Sequence, residues 1–177
     1  MTFITHYQSP LGGILLAADE IGLTGLWFNG EKYFANNLPA KPAEQETPTL
    51  LNAKRWLDLY FSGKEPNFLP QLHPVGSAFR QQVWKILLQI PYGQTTTYGQ
   101  IARQLAKQRG VAKISAQAVG GAVGHNEISV IIPCHRVVGT NGSLTGYAGG
   151  INKKIELLKL EHADMHRFFV PKKGTAL

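Results

Sequence analysis

Apolar and polar residues alternate loosely through TFITHYQ, which predicts a strand over residues 3–8. The runs GILLAA and LTGLWF flank DEIG, an acidic turn ending in Gly22, and predict a hairpin over residues 13–28. Residues 29–48 have few periodic apolar positions and contain Pro39, Pro42 and Pro48, as a loop would. In TLLNAKRWLDLYFSG the period changes. Leu50, Ala53, Leu57 and Tyr60 recur at three- and four-residue steps, and Gly63 can end the helix they predict. The segment KEPNFLPQLHPVG, residues 64–76, holds three prolines and no sustained period, so the domain boundary is expected there: 1–75 as a small α/β domain, 76–177 as a second domain.

The second part reads as mostly helical. Ser77 can cap a helix whose stripe is Phe79, Val83, Ile86, Leu87 and Ile90, and Pro91 and Gly93 stop it. In TYGQIARQLAKQRG, Thr97 and Gln100 fit a capping box, Ile101, Ala102 and Leu105 share a face, and Gly110 closes the helix. Ser115 can cap AQAVGGAVGHN. The apolar run ISVIIP predicts a short strand, and NKKIELLKLE a last helix with Ile155, Leu158 and Glu161 on one side. Two short helices joined by a tight basic connection, followed by a strand, predict a winged helix-turn-helix. The second helix of that pair is rich in glycine, which costs about 1 kcal/mol per residue against alanine. Such a helix serves close approach, either of a neighbouring helix or of a nucleic-acid groove.

Charge sharpens the picture. The chain has 177 residues, a net charge of +7 and 44% hydrophobic residues, enough to bury a core. Residues 1–75 carry five basic and seven acidic side chains, whereas the remainder carries thirteen and four. Arg80, Lys85, Arg103, Lys107, Arg109 and Lys113 fall on or beside the predicted helix pair, which points to a polyanionic partner. The first residues lack a basic segment followed by an apolar core, and LGGILLAADEIG meets acids too soon to span a bilayer. A cytoplasmic location is therefore expected, with no membrane partner and reduced thiols.

Cys134 is the one cysteine, in IIPCHRVVG. A free thiol is mostly protonated at neutral pH, and a nearby imidazole or guanidinium favours the thiolate. His135 and Arg136 follow directly. On a regular strand adjacent side chains face opposite ways, so cooperation needs a bend, and Pro133 suits one. His162 and His166 are spaced for one helical face but have no further ligand nearby in sequence, and no metal site is expected.

The run IPCHRVVGTNGSLTGYAGGINKKIELLKLE resembles the O6-alkylguanine-DNA alkyltransferases, and the likeness extends upstream through SAFRQQVWKILLQIPYGQTTTYGQIA and AVGGAVGHN, covering residues 77–161. The resemblance implies a ribonuclease-H-like α/β N-terminal domain, with a small antiparallel sheet plus helix, before a C-terminal domain with a winged helix-turn-helix. It implies direct-reversal repair of double-stranded DNA. Cys134 would accept an alkyl group from O6 of a flipped guanine, once per molecule and without a cofactor, in a protein expected to be a monomer. O4-alkylthymine is a second candidate lesion. By the same resemblance His135 takes the thiol proton through a bridging water, Glu161 orients the imidazole and Asn126 braces the turn. Tyr98 would supply a proton near N3, Tyr147 would wall the pocket, and backbone groups at Cys134, Val137 and Ala148 would read the guanine edge. Arg80 and Arg103 are expected to meet DNA. Gln117 stands where the family often places an arginine that fills the gap left by the flipped base, and Ser129 where some relatives carry a pocket-lining proline. Two other functions compete: a winged-helix damage sensor with an inert thiol, and a Cys–His hydrolase.

Overall fold

Strands β1 (Phe3–Ser9), β2 (Gly12–Ala18) and β3 (Leu23–Phe28) pair as an antiparallel meander, with Tyr7 opposite Ile14 and Leu16 opposite Leu26. The expected hairpin turn is held by Asp19, whose Oδ1 accepts from the N–H groups of Ile21 and Gly22 at 2.9 and 3.0 Å. β3 is buried throughout and β2 through Ile14–Ala18, so neither shows strict alternation. Both faces are covered. One packs against α1 (Pro48–Phe61), and on the other Leu15, Ala17 and Trp27 meet Ala35 and Leu38 of the following loop. Thr47 caps α1 by accepting from Leu50 N–H, Pro48 occupies its first turn, and the helix buries Leu50, Ala53, Trp56, Leu57 and Tyr60.

The sheet is not wholly antiparallel. A two-residue strand, β4 (Ala43–Glu44), adds to β1 in parallel, giving the order β3-β2-β1-β4. Two residues within a proline-rich loop carry no periodicity, so sequence pattern alone did not reveal them.

The computed structural model describes residues 1–172 and divides into two units. The first is Met1–Val75 with Glu127–Ile131. The second is Gly76–Asn126 with the chain from Ile132 onward. The run expected as a strand, ISVIIP, thus splits between units and is not a strand: Ile128 makes a single parallel bridge to Leu26, and Val130 turns the chain at φ 70°. Its apolar character reflects burial, since Ile128, Val130 and Ile132 are fully enclosed, and a short apolar run does not distinguish a strand from a buried turn. Leu26 N–H donates to Glu127 O at 2.8 Å, and Ser129 N–H to Leu26 O at 3.0 Å. Two buried carboxylates reinforce this. Glu127 accepts from Trp27 Nε1 at 2.7 Å, and Glu31 accepts from Phe28 N–H at 2.8 Å and Ser129 Oγ at 3.3 Å.

In the second unit, α2 (Ala78–Leu87) is capped by Ser77 and buries Val83, Trp84, Ile86 and Leu87. Strand β5 (Thr96–Thr97) leads into α3 (Tyr98–Arg109), where the Thr97/Gln100 capping box is complete and Gly110 ends the helix in the left-handed conformation. Ser115 caps α4 (Ala116–Gly124). These three helices pack on one another, and Trp84 Nε1 donates to the Ala122 carbonyl at 2.9 Å. Strand β6 (Val137–Val138) pairs in parallel with β5, and α5 (Ile151–Leu160) follows. The architecture is a small sheet domain and a helical domain.

Trp27→Phe is expected to lower unfolding stability by about 1–3 kcal/mol, because it leaves the buried Glu127 carboxylate short of a donor. Urea denaturation followed by circular dichroism checks this, and an unchanged midpoint would show that the bond contributes nothing.

Candidate active site

Pro133 (φ −82°, ψ 65°) ends the apolar run, and Cys134–Arg136 form one 3-10 turn. At three residues per turn, the side chains of Cys134, His135 and Arg136 leave the backbone in three directions, which provides the expected bend. The turn is braced from behind. The Ile132 carbonyl accepts from Cys134 N–H and from Asn126 Nδ2, both at 2.8 Å. Asn126 is not the cap of α4, a position taken by His125. Cys134 is 4% exposed.

His135 is fully buried, and its Nε2 lies 2.6 Å from Glu161 Oε2. Glu161 is the C-cap of α5 and 2% exposed. Arg136 grips the same carboxylate with both prongs, Nε to Oε1 at 2.8 Å and Nη2 to Oε2 at 3.1 Å, and its Nη1 donates to Ile90 O at 2.7 Å. Gly93 N–H adds a bond to Oε1 at 3.2 Å. Gly93 sits at φ 78°, and a Cβ there would lie 2.9 Å from the Glu161 carbonyl oxygen, so glycine is required at this approach.

Burial works against the Glu161 charge, but the hydrogen bonds and charges of His135 and Arg136 outweigh it and hold the carboxyl well below the usual carboxylate range. Burial also lowers His135. Glu161 pulls the other way, while the charges of Arg136 and Lys154 add to the lowering. The arrangement is a neutral imidazole donating from Nε2 to an ionised carboxylate, with Nδ1 as the nitrogen that can accept a proton.

Lys154 has no exposed surface. Its Nζ donates to the carbonyls of Val137 and Thr145, the latter at 2.8 Å. Tyr98 Oη donates to the same Thr145 carbonyl at 3.2 Å. Both groups feel Cys134: burial lowers the Lys154 ammonium to about 8 against the attraction of the thiolate, whereas burial and then the thiolate push the Tyr98 phenol up to about 12. Tyr147 is buried and stands edge-on to His135, ring centroids 6.4 Å apart. Ala148 beside it is half-buried. The Val137 carbonyl already accepts from Lys154, so only its second lone pair can serve a ligand.

Cys134, His135, Glu161 and Asn126 are therefore gathered around one turn, with Tyr98, Val137 and Tyr147 close by. Gln117 lies exposed at the start of α4, Arg103 lies exposed on α3, and Arg80 is half-buried in the first turn of α2. Among the described residues none of these three joins the hydrogen bonds around Cys134. His162 and His166 are exposed. Sequence reasoning missed two participants, Arg136 as the partner of Glu161 and Lys154. A signal for Lys154 was present: residues 154, 157, 158 and 161 share one face of α5, and three of them are Leu157, Leu158 and Glu161.

Comparison with known proteins agrees over both units. The family model described as "6-O-methylguanine DNA methyltransferase, DNA binding domain" matches residues 78–163, and that described as "6-O-methylguanine DNA methyltransferase, ribonuclease-like domain" matches residues 3–73. A methylated-DNA–protein-cysteine methyltransferase of Methanosarcina acetivorans is 44% identical, covering 88% of this chain and 95% of its own. One from Haemophilus influenzae is 39% identical, covering 90% and 86%. Among solved structures, Mycobacterium tuberculosis OGT in complex with DNA matches with a TM-score of 0.78 at 39% identity over 94% of each chain. An O6-methylguanine DNA methyltransferase from Methanococcus jannaschii matches with a TM-score of 0.56 at 26% identity, over 98% and 99%. With both of its units matched and relatives above 40% identity along nearly nine-tenths of its length, the chain belongs to the 6-O-methylguanine DNA methyltransferase family.

Proposed function

We propose that the protein repairs DNA by direct reversal, moving an alkyl group from O6 of guanine in duplex DNA to Cys134 Sγ. The observation that carries this reading is the single cysteine placed one residue before a buried neutral imidazole that is fixed by an ionised carboxylate. His135 Nδ1 takes the thiol proton through a bridging water. The thiolate attacks the alkyl carbon in line, the S–C bond forms as the C–O6 bond breaks, and the electron pair leaves with the guanine. Tyr98, kept protonated by its raised pKa, turns its hydroxyl from the Thr145 carbonyl to donate toward N3 of the departing purine. Glu161 and Arg136 are positioning residues that act through His135. Lys154 joins the Val137 and Thr145 carbonyls and holds a cation where Cys134 becomes negative.

Duplex binding follows from the helical unit, where α3 and α4 serve as a helix-turn-helix and the loop after β6 as its wing. The exposed side of α4 is Ala116, Gln117, Ala118 and Gly121. These small residues allow a base groove to come close, and Gln117 is the side chain long enough to fill the space of an everted base. Eversion costs a few kcal/mol, least for a weakened pair. Tyr147 and the 145–148 loop wall the pocket that receives it.

Incubation with methylated duplex should add one methyl per protein, on the peptide containing Cys134, and intact mass spectrometry reads this directly. Cys134→Ala should take up none. Methyl on another residue, or release of repeated products, would reject the mechanism.

Glu161→Gln should slow alkyl transfer by roughly 10²–10⁴-fold, the range for loss of effective acid–base assistance, with DNA affinity nearly intact. It should also cost about 3–5 kcal/mol in stability, because Arg136 loses its buried counter-charge. Single-turnover rates measured well below the variant's unfolding midpoint separate the two effects, and native-like rates there would count against the role given to Glu161.

The transfer rate should fall on both sides of neutrality. The ordinary imidazole value is about 6.5, and His135 lies below it, so the neutral base persists as pH falls through 6.5 and the rate declines only in more acidic solution. Lys154 loses its proton near pH 8, so the rate should also fall above about 8. Lys154→Met should abolish that alkaline limb at a lower plateau, and its persistence in the variant would assign the limb elsewhere.

A further inference from the structure

The exposed flank of α3 has a feature that the transfer chemistry leaves unused. A groove of about 610 Å³ opens beside the first turn of the helix, with Thr95, Thr96 and Thr97 on one side and Arg103, Asn141 and Arg167 around it. A second groove, of about 430 Å³, runs on along α3, shares Gly99 and Arg103 with the first, and adds Lys107 and Lys113. No carboxylate lines either groove. All four cations are exposed, and among the described residues none is paired with an acid.

Arg167 is held at the rim by the fold. Leu144 N–H donates to Phe169 O at 2.8 Å and Phe169 N–H to Gly142 O at 3.1 Å, which lays this segment against the loop after β6. Gly142 adopts φ 87°, and a Cβ there would lie 1.9 Å from the Arg167 carbonyl oxygen, so only glycine permits the contact. Thr96 and Thr97 direct their hydroxyls at Gln100 Oε1, at 3.0 and 3.2 Å, which leaves recognition mainly to the two arginines.

We propose that the two grooves form one phosphate track, in which the sugar–phosphate backbone of duplex DNA runs along the flank of α3 with Arg103 at the junction and Arg167 as the far clamp. This rests on the DNA reading given above and extends it to residues outside the helix pair. Open, contiguous grooves with cations spaced along them suit a repeating anion better than a small one, which would need an enclosed site. In a helix-turn-helix the first helix crosses the backbone while the second enters the groove, and α3 is the first.

The test is binding of the full chain to a fluorescein-labelled undamaged duplex, read by anisotropy across a salt series. Each lost phosphate contact removes about 0.9 from the slope of log K against log salt. Arg103→Gln/Arg167→Gln should therefore shallow the slope by about 1–2, and Arg103→Lys/Arg167→Lys should restore it. Lys32→Gln/Arg55→Gln removes the same charge from the first unit and should keep the native slope. An unchanged slope in the glutamine pair at positions 103 and 167, or an equal shallowing in the first-unit control, overturns the track. The intact mass of the native protein after exposure to methylated duplex reports on repair separately. A protein that shows the predicted slopes but takes up no methyl keeps the track and loses the repair reading, and the converse loses the track alone.

Discussion

The second unit depends on how one carboxylate is satisfied. Glu161 is buried at the C-terminus of α5, where the helix dipole disfavours a negative charge and removal from water disfavours it further. It remains ionised because four donors converge on it: His135 Nε2, Arg136 through two nitrogens and Gly93 N–H. Such a network contributes little net stability, because desolvation offsets most of the attraction. Its contribution is geometric. Two consecutive side chains of one 3-10 turn are tied to a single point, so the backbone that carries Cys134 has little freedom. A lysine at position 136 could not do the same, because the bidentate grip needs the planar fork of a guanidinium.

What was legible in the sequence was what is determined locally. The caps at Ser77, Thr97 and Ser115, the helix stop at Gly110 and the Asp19 turn each depend on residues within four positions, and each forms as the pattern implies. The misreadings share the opposite property. The run ISVIIP looked extended because it is apolar, and it is apolar because it is enclosed. β4 exists only because β1 offers it an edge. The likeness to known alkyltransferases supplied the candidates around Cys134 but not what holds them. The bidentate bond from Arg136 spans 25 positions, and local patterning has no access to a pairing of that range. Lys154 was overlooked because lysine in an amphipathic helix ordinarily reads as surface, although its place on the Leu157–Leu158 face argued otherwise.

Lys154 also shows how burial and charge are balanced around the thiol. An ammonium with no solvent exposure is costly, and burial lowers its pKa to about 8, within reach of neutrality. Two carbonyls accept from it, and negative charge on Cys134 works against the lowering by burial. The same two carbonyls belong to β6 and to the loop that carries Tyr147, so one cation ties these two segments together. Tyr98 shares the Thr145 carbonyl, which places a phenol and an ammonium on one acceptor. Charge and packing are therefore not independent here, and a substitution at Lys154 must disturb both.

A site this enclosed suits a reaction in which nothing has to leave the nucleophile. In many enzymes product release limits turnover, and lids and hinges exist to permit it. Under the proposed reaction the alkyl group stays on sulfur as a thioether. Only the restored base departs, and it departs with the DNA. No route for water to a covalent intermediate is needed, and no second thiol is needed to resolve one, in keeping with a single cysteine in the chain. The residues around Cys134 can then be fixed for a single attack, with His135 and Glu161 fully enclosed and the turn braced by Asn126. The same stiffness has a consequence for the spent protein. A carbon added to the sulfur of a residue that is 4% exposed, in a turn with little freedom, has to displace something, and one restraint on that turn is the Ile132 carbonyl that holds both Cys134 N–H and Asn126. The geometry that prepares the thiol for one transfer is thus the geometry that the product strains.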